Sequence, residues 1–130
     1  MDAPRPVDIS ALVAQLVPRT DRRPGDDAGS IDWAAQAAPY RDGSVFAVHY
    51  AGESEWERHP AGDEIVVVVD GATTMTLVVD GDEHRVPMRG GEMIVVPQGV
   101  WHRFSTPELT KIMTVTPLPT DHRLERPDAV

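Results

Sequence analysis

Five histidines are spread along the chain, and two of them stand in surroundings that could do chemistry. In residues 56–71, Glu57 and His59 lie two positions apart, so on a strand their side chains share a face. The Pro60-Ala61-Gly62-Asp63 turn can fold Glu64 back beside them at the start of the next strand. In residues 91–104 a strand rises to Pro97, turns at Gly99 and presents His102 early on the returning strand. Imidazoles and carboxylates gathered in this way could hold a divalent cation or move a proton. Two carboxylates side by side in a low-dielectric interior repel, so one must take a proton unless a cation removes that cost.

Other chemistries are excluded by what the chain lacks. With no cysteine there is no disulfide framework, zinc ribbon or thiol nucleophile. Lys111 is the only lysine, so a Schiff-base site would rest on one residue in a strand-like run. No G-x-S-x-G, P-loop or dinucleotide-binding fingerprint occurs. Twelve Lys plus Arg against 21 Asp plus Glu leave a net charge of −9, a field that repels phosphate backbones and anionic lipid. Neither nucleic acid nor a membrane is expected as a partner. The longest apolar runs, such as residues 65–69, are too short to span a bilayer. The first six residues lack a basic region followed by an apolar stretch, so a cytoplasmic location is expected.

The elements that must position these residues are mostly strands. A chain of 130 residues has room for one core. From Ser44 onward, β-rich runs are expected at 44–50, 64–69, 73–79, 84–88, 92–96, 101–105 and 111–116. They are separated by Asp42-Gly43, Asp70-Gly71, Asp80-Gly81, Gly90-Gly91 and Pro97-Gln98-Gly99. Such spacing predicts an all-β sandwich or barrel, and the absence of strand–helix alternation argues against an α/β nucleotide fold. Ahead of it, Ile9, Leu12, Val13, Leu16 and Val17 recur at helical spacing, with Asp8 to cap the start and Pro18 to stop it. Residues 19–30, rich in Arg, Asp, Pro and Gly, read as a solvated linker, and the tail after Pro117 as extended chain. The expected division is therefore an N-terminal arm at 1–30, a barrel at 31–118 and a C-terminal tail at 119–130.

The two patterned stretches resemble the paired motifs of the cupin superfamily, G-x5-H-x-H-x3–4-E-x6-G and G-x5-P-x-G-x2-H-x3-N. His59, Glu64 and Gly71 match the end of the first without a gap; Gly91, Pro97, Gly99 and His102 match the second throughout. The motifs are separated by 19 residues, as in small single-domain microbial members, and the resemblance covers about residues 44–116. It implies an antiparallel jelly-roll barrel with its site inside. Three departures stand out. The opening glycine of the first motif is out of register, since Gly52 leaves four residues rather than five before Glu57. Glu57 occupies the position of the family's first metal-binding histidine, and Thr106 that of the asparagine. Carried over residue by residue, the resemblance implies a divalent metal, Fe, Mn, Ni or Zn, held by His59, Glu64, His102 and Glu57.

Function is then expected to be metal-dependent turnover of a small organic molecule. Either dioxygenase-type or isomerase/epimerase-type chemistry fits, the latter with Glu57 free as the catalytic proton carrier. The alternative is a barrel that binds a small ligand without turnover, favoured by the changes at Glu57 and Thr106. Phe104 shares parity with His102 and is the expected pocket wall, whereas Trp56, Trp101, Arg58 and Arg103 fall on the opposite face. His49 and His84 read as strand and hairpin residues, and His122 as a tail residue without a role. A homodimer is expected, with residues 8–17 between subunits or over an exposed barrel edge.

Overall fold

The computed structural model describes residues 1–27 and 31–127. Its elements in chain order are α1 (Ile9–Ala14), β1 (Arg19–Arg22), β2 (Ala34–Tyr40), β3 (Gly43–Glu53), β4 (Trp56–Arg58), β5 (Glu64–Asp70), β6 (Ala72–Val79), β7 (Asp82–Arg89), β8 (Met93–Val96), β9 (His102–Pro117) and β10 (Asp121–Arg123). The all-β barrel is present, and every strand pair is antiparallel except β1 with β3, which runs parallel.

β9 organises the barrel. The sequence predicts two strands at 101–105 and 111–116; the structure has one strand of 16 residues. Its first half pairs with β6 and, through His102, with Glu57 of β4. Its second half runs between β3 and β5, and β5 in turn pairs with β8. One side of the barrel is thus β2–β3–β9–β5–β8, and the other is built on β7–β6–β9. Alternation does the rest: Val66, Val68, Ile112, Val96, Met75, Leu77, Phe104 and Tyr50 point inward and form the buried core with Trp33 and Met88. Asp80 (φ 51°) and Gly81 (φ 83°) supply the two left-handed residues of the β6–β7 hairpin.

The arm and the tail both join the sheet. Arg19–Arg22, read as linker, forms β1 beside Tyr50–Gly52 of β3, and residues 28–30 of that stretch lie outside the described residues. Gly52 makes this possible: at φ 119° its missing Cβ leaves room for the Arg22 backbone. β10, within the segment read as tail, pairs with β4. α1 forms where the helical spacing places it, with the Asp8 carboxylate accepting from Ala11 N–H at 3.0 Å. It packs on β2 and β3 and buries Val13, and Leu16 just beyond its end is buried as well.

Candidate metal centre

The two sequence motifs meet because their turns are tied together. Gly99, at φ 77°, donates its N–H to the His59 carbonyl at 3.0 Å. Gln98 donates its backbone N–H to Asp63 at 2.7 Å and its side-chain amide to the Pro60 carbonyl at 2.7 Å. These contacts set His59 and Glu64, on either side of one turn, against His102 on the strand leaving the other. Glu57 completes the arrangement as the cross-strand neighbour of His102.

The inner three are buried: His59 is 3% exposed, Glu64 4% and His102 0%. His59 Nε2 lies 3.1 Å from Glu64 Oε2, and His102 Nε2 lies 3.1 Å from Glu64 Oε1. Despite these distances, His59 Nε2, His102 Nε2 and Glu64 Oε1 have no aligned hydrogen-bond partner. Each imidazole is instead held from behind. His102 Nδ1 is 2.9 Å from the Val100 carbonyl, which can only accept, so Nδ1 carries a proton and, in the neutral ring, the Nε2 lone pair faces the carboxylate. His59 Nδ1 lies 3.0 Å from Thr120 Oγ1, and in the tautomer that frees Nε2 it donates to that hydroxyl. Thr116 donates to Glu64 Oε2 at 2.7 Å. Lone pairs converging on one point need a cation or a proton between them. The donor set fits a divalent metal: Glu57, His59 and His102 offer ligand atoms all within 4.8 Å of one another, with Glu64 across from both rings.

Electrostatics follow from this crowding. Burial alone would raise the Glu64 carboxyl, but contact with His102 and His59 outweighs it and holds the group at about 2. Burial would lower His102; Glu64 beside it, with Glu57 and the Val100 carbonyl, raises it instead. Glu57 is pushed up by burial and by Glu64, against the opposing pull of His102 and Arg22.

Over these residues opens a cavity of about 300 Å³. Glu57, His59 and Glu64 lie at its polar end; Phe104, Phe46, Val48, Ile112 and Leu118 are among its apolar walls. Phe104 therefore lines the cavity, while His102 sits behind the surface with its ring 6.3 Å from that of Phe104. Trp56 and Trp101 lie outside, each buried beneath a guanidinium: Arg103 over Trp56 at 5.0 Å and Arg58 over Trp101 at 4.8 Å. Thr106, in place of the motif asparagine, is buried against Thr73 and donates to Tyr50 Oη at 3.3 Å.

Three cavity residues escape a reading by motif. Arg22, from the stretch expected to be solvated, is 5% exposed; its guanidinium stacks between Trp33 (4.5 Å) and Tyr50 (4.6 Å). It pairs with Asp27 at 2.7 Å and stands 3.7 Å from Glu57. His122, expected to have no role, lies opposite Glu57 in the β10–β4 register, 3.1 Å from Glu55, and lines the cavity. Thr120, which touches His59, carries no signal in the sequence. The reason is common to all three: Arg22 and His122 lie on short strands near the two ends of the chain and Thr120 just ahead of the second, and only the folded sheet brings them to the cavity. His49 and His84 do not line the cavity.

A β-barrel with buried imidazoles and carboxylates converging at the floor of a small cavity defines a cupin-type binding barrel. The cupin domain family matches residues 44–116, more than half of the chain, and the chain belongs to that family. Over 60 residues it is 40% identical to the acireductone dioxygenase of Rhodopseudomonas palustris (strain TIE-1), a match covering 46% of this chain and 36% of that relative's length. Among solved structures it resembles a cupin-2 domain protein of Shewanella frigidimarina NCIMB 400, with 27% identity, a TM-score of 0.55, and coverage of 69% of this chain and 79% of the other. It also resembles hydroquinone 1,2-dioxygenase from Sphingomonas sp. TTNP3, crystallised with 4-hydroxybenzoate; identity is 17%, TM-score 0.60, coverage 91% and 75%. At that identity the likeness concerns the fold. Among the described residues, no helix is long and apolar enough to cross a membrane.

Proposed function

We propose that this chain binds a divalent metal through His59, His102, Glu64 and Glu57 and catalyses an oxygenase-type reaction on a small, electron-rich organic molecule. The observation that carries this reading is the set of buried, unpartnered atoms, His59 Nε2, His102 Nε2 and Glu64 Oε1, facing one another beneath the cavity. A non-catalytic barrel of this kind would be expected to close such a set with hydrogen bonds. When bound, a redox-active ion would supply coordination of a hydroxylated substrate and an electron path to dioxygen.

The protein's own contributions can be named. His102 and His59 are aimed by Val100 and Thr120. The apolar walls shed water from the substrate, and the modest cavity limits it to a small molecule. Glu57, pushed up from its ordinary range by burial, lines the cavity, where an oxygen not held by the ion could accept a hydroxyl proton. Arg22, 3.7 Å away, keeps its carboxylate oriented toward the site. The relatives' names put acireductones and hydroquinones first among the compounds to test.

The test is metal analysis of protein purified without chelator, followed by oxygen-consumption measurements with those compounds under Fe, Mn, Ni and Zn loading. Near-stoichiometric metal, lost in His59→Ala and His102→Ala, with oxygen uptake by the parent, is the expected outcome. Absence of metal from the parent after loading would refute the reading. Metal without turnover of any enediol or dihydroxyarene would leave a ligand-binding barrel in its place.

A further inference from the structure

The side of the barrel built on β7–β6–β9 carries a polar depression of about 440 Å³ on its outer face, apart from the metal centre. Glu53, Thr74, Thr76, Arg85, Arg103 and Ser105 line it. Register explains why these residues meet. Thr76 on β6 is the cross-strand partner of Arg85 on one side and of Arg103 on the other. Two residues back along β6, Thr74 pairs with Ser105, and Ser105 with Glu53. Met75, Leu77, Met88 and Phe104 belong to the core, so alternation turns Thr74, Thr76, Arg85, Arg103 and Ser105 outward.

Two guanidiniums here lack a counter-charge. Among the described residues neither Arg85 nor Arg103 pairs with a carboxylate, although the chain has 21 Asp plus Glu. Elsewhere on the outer surface Arg58 pairs with Asp121 at 2.8 Å and Arg126 with Glu83 at 2.8 Å. Glu53, the one acid lining the depression, accepts the Ser105 hydroxyl at 2.9 Å instead. Arg103 is also held in place: its guanidinium lies 5.0 Å over the ring of Trp56, which is 3% exposed. Stacking uses the flat face of the group and leaves its in-plane N–H donors for other partners. One of them, Nε, is buried without a hydrogen-bond partner. A buried donor in that state is costly until something accepts from the group that carries it.

We propose that this depression binds a tetrahedral oxyanion, either inorganic phosphate or the phosphate group of a small monoester. A planar carboxylate is satisfied by one arginine fork, whereas two arginines on either side of a threonine suit an anion with acceptors in several directions. On standard strand spacing the Arg85 and Arg103 backbones stand about 10 Å apart, so their forks can close on one phosphate above Thr76. The Thr74 and Thr76 hydroxyls offer further donors. Glu53 at the edge repels a second anionic group, which restricts the ligand to one phosphate rather than a polyphosphate. The remaining space admits a small organic group.

The experiment is calorimetric titration of the full chain as purified, with inorganic phosphate and separately with glycerol phosphate, and melting curves to verify folding. One equivalent should bind, and the tighter of the two probes identifies the source of the anion. Arg85→Gln and Arg103→Gln should each weaken binding about tenfold or more, since each removes a charge-assisted fork. Arg58→Gln, outside the depression, should leave it unchanged. Arg85 is exposed, so its variant tests the site even where loss of the stack on Trp56 unsettles Arg103→Gln. His59→Ala separates the depression from the metal centre, where phosphate could also bind, and binding should persist in it. A parent that takes up neither probe at roughly 10 mM would overturn the proposal. So would binding unchanged by Arg85→Gln, whether or not His59→Ala abolishes it, because the anion would then sit elsewhere.

Discussion

Replacing Glu64 by glutamine tests the electrostatic account of the centre in the metal-free protein. The amide keeps the shape and can still accept from the Thr116 hydroxyl, so the change removes mainly the charge facing two imidazoles 3.1 Å away. Folding holds the Glu64 carboxyl at about 2 against an ordinary value of 4.5. That difference is worth about 3 kcal/mol to the folded state once the pH is above the unfolded carboxyl's range. The sign matters. Glu64 is depressed, so its contribution is present above about pH 4.5 and fades as pH falls toward 2. His102 is raised, so its contribution is present below about pH 6.5 and is lost as pH rises through its elevated pKa. Both charges therefore act together between about pH 4.5 and 6.5. Urea denaturation in excess chelator should show Glu64→Gln costing about 2–3 kcal/mol near pH 6, with the deficit shrinking as pH rises through the raised His102 pKa. An equal deficit at every pH, or none near pH 6, would show that the imidazolium–carboxylate pairing inferred here is absent.

Thr120→Val should weaken metal binding about tenfold in a chelator-competition titration, whereas Thr120→Ser should retain it, because only the hydroxyl fixes the His59 ring. Arg22→Met leaves Asp27 and Glu57 without their shared cation and should cost about 3–5 kcal/mol by urea denaturation; Arg22→Lys should recover only part, lacking the planar stack between Trp33 and Tyr50. Gly52→Ala drives a Cβ into the Arg22 backbone and should detach β1, seen as faster hydrogen exchange at residues 19–22. Gly99→Ala meets no neighbour and bears only its left-handed backbone, a stability loss on the order of 1 kcal/mol by urea denaturation.

The residues of the two motifs are legible because their spacing is local. Period-two alternation puts Glu57 on an inward-facing position of β4, and the short Pro60–Asp63 and Pro97–Gly99 turns leave few ways to place Glu64 and His102. The Asp-Gly turns and β-rich runs likewise announce a barrel, since each acts over four to eight residues. What tertiary structure alone decided is the company those residues keep. β1 is four residues of Arg, Thr and Asp with no hydrophobic alternation, so only the room above Gly52 and the stack of Arg22 on Trp33 and Tyr50 make it a strand. β10 is three polar residues whose strand character comes from pairing with β4, and that pairing brings Thr120 and His122 to the site. The fusion of two expected strands into β9 has the same origin: residues 107–109 are exposed and unpaired, and the path stays extended because Thr106 and Thr110 pair with β3 while β6 holds the residues before them and β5 those after. Local pattern specifies which face a side chain takes; long-range hydrogen bonding decides which distant side chains share it.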